Sequence, residues 1–180
     1  MSSLFANTRR KCFISYHHDD RIEVEDFIQK FDHDQDVLIA RGIGASMSGD
    51  ILDSTNEVYI KSKIREKYLR DTTVTIVLVG RQTWGRKFVD WEVAASLRNT
   101  LTANASGLLA ITLPSVANYD ARKLPARVAD NVDGADGYAR WWKYPSDAVE
   151  LGEMIEAAYD ARISRASLRD NNRSLRVRNA

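Results

Sequence analysis

The stretch VTIVLV, residues 74–79, decides the fold class, because it is a short run of β-branched and apolar residues without polar alternation. Such a run is typical of a strand buried on both faces of a parallel sheet. Similar runs occur at residues 12–16, 37–40 and 108–113. Amphipathic helical patterns lie between the runs, at about residues 22–31, 58–69 and 86–101, and a last one covers about residues 147–166. This alternation predicts a doubly wound, flavodoxin-like α/β fold, with a parallel sheet of four to five strands flanked by helices.

An irregular region separates the last two predicted elements. Residues 114–145 contain all three prolines and two adjacent tryptophans, Trp141 and Trp142. A connection this long in a compact domain usually carries function or contains a short element. We therefore expect a short helix around residues 121–130 and a fifth strand around residues 140–144. The two tryptophans are expected either in the core or on a contact surface.

Length and composition favour one globular domain. The chain has 180 residues, of which 44% are hydrophobic, which excludes two large domains and a disordered chain. No run approaches the roughly 18 apolar residues of a membrane span, and the first residues lack the apolar stretch of a signal peptide, so we expect a cytoplasmic protein. The single cysteine, Cys12, lies in an apolar run and is expected to be a buried thiol.

The net charge of +1 is unevenly distributed. Residues 162–180 carry six arginines and one acid, a charge of +5, which leaves −4 on the rest of the chain. The body is therefore unlike a nucleic-acid binder. We expect residues 1–10 to form an extension, residues 11–168 the domain, and residues 169–180 a basic, solvated and mobile tail, because that stretch has few and irregularly spaced apolar residues.

Polar residues follow three of the predicted strands. Tyr16, His17 and His18 come directly after the first run, residues 41–50 follow the second, and residues 80–84 follow the third. In open α/β sheets, ligands bind beyond the carboxyl ends of the strands. We expect the three groups to converge there, although the histidines could equally belong to a polar loop without a role. Asp19 or Asp20 is expected to cap the following helix, and for Asp20 this role is favoured over a ligand contact.

A metal site is a weaker alternative for the same loop. The residues with suitable ligand atoms are His17, His18, Asp19, His33 and Asp34. His33 belongs to the far end of the intervening predicted helix, so this ligand set is not favoured, and we expect no metal.

The helix predicted after the third strand contains the residue that most clearly indicates a functional site. At about 100° per residue and with Phe88 at zero, the apolar residues fill an arc from about 300° to about 180°, and Glu92 falls inside it at about 40°. Arg86, Lys87, Asp90 and Arg98 lie outside this arc or at its edges. Because burying an unpaired carboxylate is unfavourable by several kcal/mol, Glu92 should either pair with a buried arginine or face a polar cleft at the strand ends.

Several segments resemble a known family. The run FISY at residues 13–16, followed by Asp20, resembles the opening strand and first loop of Toll/interleukin-1 receptor (TIR) domains. The run FVDWE at residues 88–92 resembles the helix that carries their catalytic glutamate. With TIVLVG at residues 75–80 and Thr83, the chain looks most like the bacterial TIR-like branch that includes the NAD-processing component of the Thoeris anti-phage system. The resemblance covers about residues 10–115, with one departure: Phe88 stands where a common TIR pattern has tryptophan.

The resemblance implies cleavage of the nicotinamide–ribose bond of NAD, which yields ADP-ribose or a cyclic ADP-ribose signal. NAD is then a substrate, and no cofactor is expected. One carboxylate suffices, because nicotinamide leaves as a neutral base and needs no general acid, unlike the leaving group of ordinary glycosidases. Glu92 is the implied catalytic residue. The implied substrate-binding residues are Tyr16, His17 and His18, with Ser46 and Trp84 as further candidates.

The resemblance also implies partners. TIR-like enzymes generally complete their clefts with neighbouring subunits, so a homo-oligomer is expected, and the region around Trp141 and Trp142 could supply a contact. A nucleotide product implies a downstream effector that reads the signal, with no membrane partner.

Two other function classes remain open at this point. A phosphoacceptor receiver domain shares the alternating architecture and an acidic pair, Asp19 and Asp20, but needs an Asp at the end of the third strand, where the chain has Val79, Gly80 and Arg81. A non-catalytic TIR-like scaffold that acts through assembly is the serious alternative. Exposure of Glu92 to a polar cleft favours the enzyme, and an ion pair away from the cleft favours the scaffold.

Overall fold

A five-stranded parallel sheet forms the centre of the protein. The computed structural model describes residues 8–42, 51, 53–100 and 104–180. The strands are β1 (Arg10–Ser15), β2 (Leu38–Arg41), β3 (Val74–Val79), β4 (Gly107–Thr112) and β5 (Arg140–Trp142). Their order is β2-β1-β3-β4-β5, and all neighbouring pairs are parallel. The predicted α/β class, the four main strands and the fifth strand are confirmed.

Helices connect the strands and cover both faces of the sheet. They are α1 (Arg21–Ile28), which continues as a π-helical stretch (Gln29–Asp34), α2 (Glu57–Tyr68), α3 (Lys87–Ser96), the short α4 (Ala126–Ala129) and α5 (Ala148–Ser164). Two of them have side-chain caps of the expected kind. Asn56 Oδ1 accepts from Tyr59 N at the start of α2, and Asp147 Oδ1 accepts from Glu150 N at the start of α5.

The cap expected of Asp20 is wrong. Asp20 occupies the N-cap position of α1, but its side chain makes no capping hydrogen bond. Its carboxylate lies instead over Gly80, where an added Cβ would come within 2.1 Å of Oδ2. Thr83 Oγ1 lies 3.4 Å from the same oxygen as a donor. The Asp20 side chain therefore joins the loop after β1 to the loop after β3.

Each face of the sheet has its own core. On one face α1 and α5 pack against alternate residues of β1, β3 and β4, and this core includes Cys12, which is fully buried as expected. On the other face α2 and α3 pack against the remaining residues of the same strands. All six residues of β3 and of β4 are buried, which explains their continuous apolar sequences.

The last residues do not form a solvated tail. The C-terminal segment, residues 169–180, lies along α3, with Leu175 buried beside Trp91. Trp91 Nε1 donates to Arg176 O at 2.8 Å, and Arg176 N donates to Asp90 Oδ2 at 2.8 Å. The prediction that residues 169–180 form a tail that does not dock is wrong. That prediction was based on the small number of apolar side chains, whereas the segment is held mainly by hydrogen bonds to its backbone.

The two tryptophans of β5 have different surroundings. Trp141 is 36% exposed and donates from Nε1 to Thr112 Oγ1 at 2.9 Å. Trp142 is partly buried against the core on the α1 and α5 side. Of the two tryptophans, Trp141 therefore offers the more exposed aromatic surface. Among the helices in the described ranges, none is long and apolar enough to cross a membrane.

Candidate active site

The site lies where β1 and β3 end and α3 begins. Ser15, the last residue of β1, pairs in register with Val77 of β3. Tyr16 and His17 follow β1 directly and lead into a 3-10 turn, His18–Asp20. Because parallel strands end at the same edge of the sheet, this loop meets the turn that leads from β3 into α3. The convergence expected of the first and third groups of polar residues is present in the structure.

A cavity of about 240 Å³ opens between these elements. Its walls contain residues from β1 and its loop, from the end of β2, from the start of α3 and from the C-terminal segment: Ile14, Tyr16, His17, His18, Gly42, Arg86, Phe88, Val89, Glu92 and Asn179. Ile14, His17 and Val89 are buried, whereas His18, Phe88 and Asn179 are exposed and form the mouth. The cavity is smaller than the roughly 300–1,000 Å³ of typical small-molecule sites, so a dinucleotide bound here would extend past the mouth.

Glu92 lies in the wall of this cavity beside the end of β1. Ser15 Oγ donates to Glu92 Oε2 at 2.5 Å. Burial raises the pKa of the Glu92 carboxyl from 4.5 to about 7, although the hydrogen bond from Ser15 opposes the shift. Within the described residues, Glu92 forms no ion pair. Of the two alternatives left by the sequence, the structure has the carboxylate facing a cleft.

The buried arginine partner belongs to Asp90 instead. Arg127 is completely buried, and its Nε and Nη2 donate to the two oxygens of Asp90 at 2.8 and 3.3 Å. The helical wheel placed Asp90 outside the buried arc or at its edge, whereas the structure buries this residue. The C-terminal segment covers that side of α3, so the helix is buried on two sides rather than one. An ion pair that is hydrogen-bonded at both oxygens can tolerate this burial.

Two histidines lie next to the cavity and next to each other. The rings of His17 and His18 meet edge to face at an interplanar angle of 70°, with centroids 4.2 Å apart. Burial lowers the pKa of His17, and the neighbouring His18 and Arg86 act in the same direction, against Asp19. His17 is 4% exposed, and its Nε2 has no hydrogen-bond partner in the described part of the chain, although Asp19 Oδ2 lies 3.1 Å away. The lowered pKa favours the neutral form of His17, whose buried Nε2 lies beside Asp19 Oδ2 without the geometry of a hydrogen bond.

The five-residue metal site is not assembled. His17, His18 and Asp19 have ligand atoms within 4.8 Å of one another. His33 is not in this group, and its Nδ1 lies 3.3 Å from Gln29 Oε1 on the preceding helical turn. His33 lies away from His17 in the structure, as its predicted position at the far end of the intervening helix indicated.

Not every predicted site residue reaches the cavity. Tyr16, His17, His18 and Glu92 line it. Trp84 belongs to the 3-10 turn before α3 but is absent from the cavity wall, and its ring lies 4.9 Å from Lys123 Nζ. Ser46 lies outside the described residues.

Six residues of the wall were not assigned to the site from the sequence. Ile14 and Val89 were expected only as apolar residues of their strand and helix, and the other four differ in how far they could have been foreseen. Phe88 was placed on the sheet-facing arc, but it is 40% exposed at the mouth. Gly42 has φ +85°, and an added Cβ would lie 2.3 Å from the Phe13 ring, so a glycine is required where β2 ends. Arg86 could have been suspected from its position before the helix. Asn179 could not, since no local pattern links it to residues more than eighty positions earlier.

Comparison with known families identifies the family of this domain. The family model of the TIR-like domain of the Thoeris protein ThsB matches residues 13–118, which is more than half of the chain and spans the second half of β1, the strands β2 to β4 and α3 with Glu92. No curated protein matches the sequence significantly. The chain therefore belongs to the family of Thoeris ThsB TIR-like domains, and this membership implies a role in anti-phage defence.

Proposed function

We propose that the protein binds NAD in the Glu92 cavity and cleaves its nicotinamide–ribose bond. The observation that carries the proposal is the state of Glu92, a desolvated carboxyl group that lines a polar cavity. Its only hydrogen bond within the described residues comes from the Ser15 hydroxyl. A carboxyl group in this setting is characteristic of functional sites, whereas a purely structural carboxylate is better represented here by Asp90.

Glu92 acts in its ionised form. The bound nicotinamide is a cationic ring, and a positive charge near the carboxyl favours its ionisation. The carboxylate then accepts hydrogen bonds from the ribose hydroxyls and stabilises the oxocarbenium-like charge that develops at the anomeric carbon. The carbon–nitrogen bond breaks with its electron pair on nicotinamide. A water or ligand hydroxyl oxygen bonds to the anomeric carbon, and its proton is released to the Glu92 carboxylate or to water.

The walls of the cavity position the reacting end of the dinucleotide. Tyr16 and His17 line the side formed by the loop after β1, and His18 lies at the mouth. The Nε2 of His17 is buried beside Asp19 Oδ2, so a hydrogen bond from it to a ribose hydroxyl or to the nicotinamide amide requires the ring to turn toward the cavity. Ser46 remains a proposed contact from the loop after β2, whereas Trp84 would need to move to take part.

The choice between hydrolysis and cyclisation depends on how the rest of the dinucleotide is held. Because the cavity accommodates only part of the substrate, the adenosine half lies beyond the mouth. A neighbouring subunit that covers the mouth would fold the substrate and exclude water, which favours attack by one of the substrate's own hydroxyl groups. We therefore propose a homo-oligomeric active form whose nucleotide product is read by an effector. The exposed Trp141 is a candidate contact for that assembly.

Product analysis tests the proposal directly. Purified protein is incubated with NAD, and nicotinamide, ADP-ribose and cyclic isomers are separated and identified by mass. We expect Glu92→Gln to reduce nicotinamide release at least about a hundredfold, because it removes the charge and keeps the side-chain shape. The control is Glu153→Gln, an exposed carboxylate on α5, which should stay within about threefold of wild type. Nicotinamide release by Glu92→Gln at the wild-type rate would leave the scaffold as the better explanation.

A further inference from the structure

Arg86 has unused donors at the mouth of the Glu92 cavity. Its Nε donates to Gln82 O at 3.2 Å, and its Nη2 donates to Ala180 O at 2.8 Å. A guanidinium group has five N–H donors, so three of them are not engaged by these bonds. Across the described residues, Arg86 has no Asp or Glu side chain within ion-pair distance. Its guanidinium group is therefore held in place by two main-chain oxygens, with donors left for a ligand.

Asn179 lies on the same cavity wall with its amide orientation set. Its Oδ1 accepts from Lys87 N, the first residue of α3, at 2.8 Å. This contact assigns the oxygen, so the opposite side of the amide is Nδ2, a group with two donors. Among the described residues, none accepts a hydrogen bond from Asn179 Nδ2. Asn179 is exposed, so a ligand at the mouth can reach it.

The C-terminal segment brings these two groups together. Asn171 Nδ2 donates to Ala94 O on α3, and Asn171 Oδ1 accepts from the buried Arg127. At its other end the segment approaches the turn before α3 so closely that a Cβ on Gly85 would lie 3.0 Å from Ala180 Cβ. Ala180 N also donates to Gly85 O at 2.9 Å. The segment is thus attached at both ends of α3, and its last residues form part of the cavity wall.

We propose that Arg86 and Asn179 form a phosphate-binding site at the mouth of the cavity, positioned by the C-terminal segment. The ligand class, a nucleoside diphosphate within a dinucleotide, rests on the proposed function. Guanidinium and amide N–H groups are the donors that phosphate oxygens accept most strongly. The cavity holds only the reacting end of the dinucleotide, so the diphosphate falls toward the mouth, where Asn179 is exposed and Arg86 is partly exposed.

Calorimetric titration with ADP-ribose tests the site, because this probe carries the diphosphate and has no nicotinamide bond to cleave. Arg86→Gln and Asn179→Asp are expected to weaken ADP-ribose binding about tenfold or more, since each removes a hydrogen bond to a charged group. Asn179→Asp keeps the oxygen that accepts from Lys87 N, so the segment stays attached. Matched controls are Arg70→Gln, at the opposite end of β3, and Asn172→Asp, in the same segment but outside the cavity wall. Both controls should stay within about twofold of wild type.

A second probe separates phosphate binding from general damage to the site. Nicotinamide riboside lacks the diphosphate, so its affinity should change by less than about twofold in the two variants. Equal losses for both probes, unchanged ADP-ribose binding in both variants, or no ADP-ribose binding by the wild type would each overturn the proposal. Thermal melting of every variant identifies misfolding. If Arg86→Gln does not fold, the Asn179→Asp variant, which changes an exposed residue, still tests the proposal.

Nicotinamide release from NAD by the same samples is measured separately. A wild-type protein that binds ADP-ribose through Arg86 and Asn179 but releases no nicotinamide would contradict the proposed reaction and leave the phosphate site supported. A protein that cleaves NAD while both variants bind ADP-ribose normally would support the reaction and overturn the phosphate site.

Discussion

Replacing Glu92 by glutamine should stabilise the fold at alkaline pH, and this gain should disappear as the pH falls. The structural reason is the desolvation of the carboxyl, which raises its pKa from 4.5 to about 7. Glutamine has nearly the same shape, and its Oε1 can still accept from Ser15, but its amide does not ionise. The variant therefore removes the unfavourable ionisation of a buried group and leaves the packing unchanged.

The size of the gain follows from the two pKa values. In the unfolded chain the carboxyl ionises around pH 4.5, whereas in the folded protein it keeps its proton until about pH 7. Between these values the unfolded state has lost a proton that the folded state retains, so the stability of the wild type falls as the pH rises through this window and levels off above it. A shift of 4.5 to about 7 corresponds to about 3 kcal/mol at 1.36 kcal/mol per pH unit. Because the Glu92 side chain lines an open cavity and is not fully buried, the effect is reduced to the order of 2–3 kcal/mol.

Urea unfolding of both proteins at several pH values between about 4 and 8.5 measures the effect. The quantity to plot is the difference in unfolding free energy between Glu92→Gln and wild type, because the other titrating groups cancel in it. Glu153→Gln on α5 is the control for loss of one exposed carboxylate. A difference for Glu92→Gln that is the same at every pH would refute a raised pKa for Glu92, and with it the argument that the carboxyl is desolvated.

Three further outcomes are expected. The kcat/KM for NAD cleavage should rise with pH through about 7, and Ser15→Ala should move that midpoint upward, because the hydrogen bond from Ser15 lowers the pKa of Glu92; an unchanged pH profile would contradict this. Arg127→Leu should lower the unfolding free energy by about 3–5 kcal/mol in urea titrations, because it leaves Asp90 buried without its partner; a loss below about 1 kcal/mol would show that the pair contributes little. Removal of the residues after Asp170 should lower the melting temperature and raise the KM for NAD, whereas a truncated protein with wild-type values would show that the docked segment is dispensable.

The sequence was most informative where burial is continuous. β3 and β4 are buried on both faces, so their continuous apolar sequences were enough to predict them as buried strands without knowing their tertiary contacts. The position of Glu92 was also accessible, because a single carboxylate inside an apolar arc is visible in helical periodicity. β5 has only three residues and is intermediate or exposed at each of them, which is why it could be suggested only from the pair of tryptophans that it contains.

The remaining features depend on contacts distant in sequence. Asp90 looked like a surface residue of α3 because its partner, Arg127, lies 37 positions further along the chain. The docking of residues 169–180 left no trace in hydrophobic spacing, because main-chain groups such as Arg176 N and Arg176 O make the contacts. A main-chain group can make such a hydrogen bond whatever side chain its residue has, so these contacts are difficult to predict from the sequence.

The two carboxylates of α3 have different roles: one holds the C-terminal segment, and the other faces the cavity in which we propose that NAD is cleaved. Asp90 and Glu92 are two positions apart, which places them on opposite sides of a helix with about 100° per residue. Asp90 receives three hydrogen bonds, two from Arg127 and one from Arg176 N, and it fixes the C-terminal segment. Glu92 receives one from Ser15 and faces the cavity. The C-terminal segment contributes Asn179 to the wall but makes no hydrogen bond to Glu92 within the described residues. Detaching the segment should therefore weaken substrate binding more than it slows the chemical step on bound substrate. We expect KM to change more than kcat.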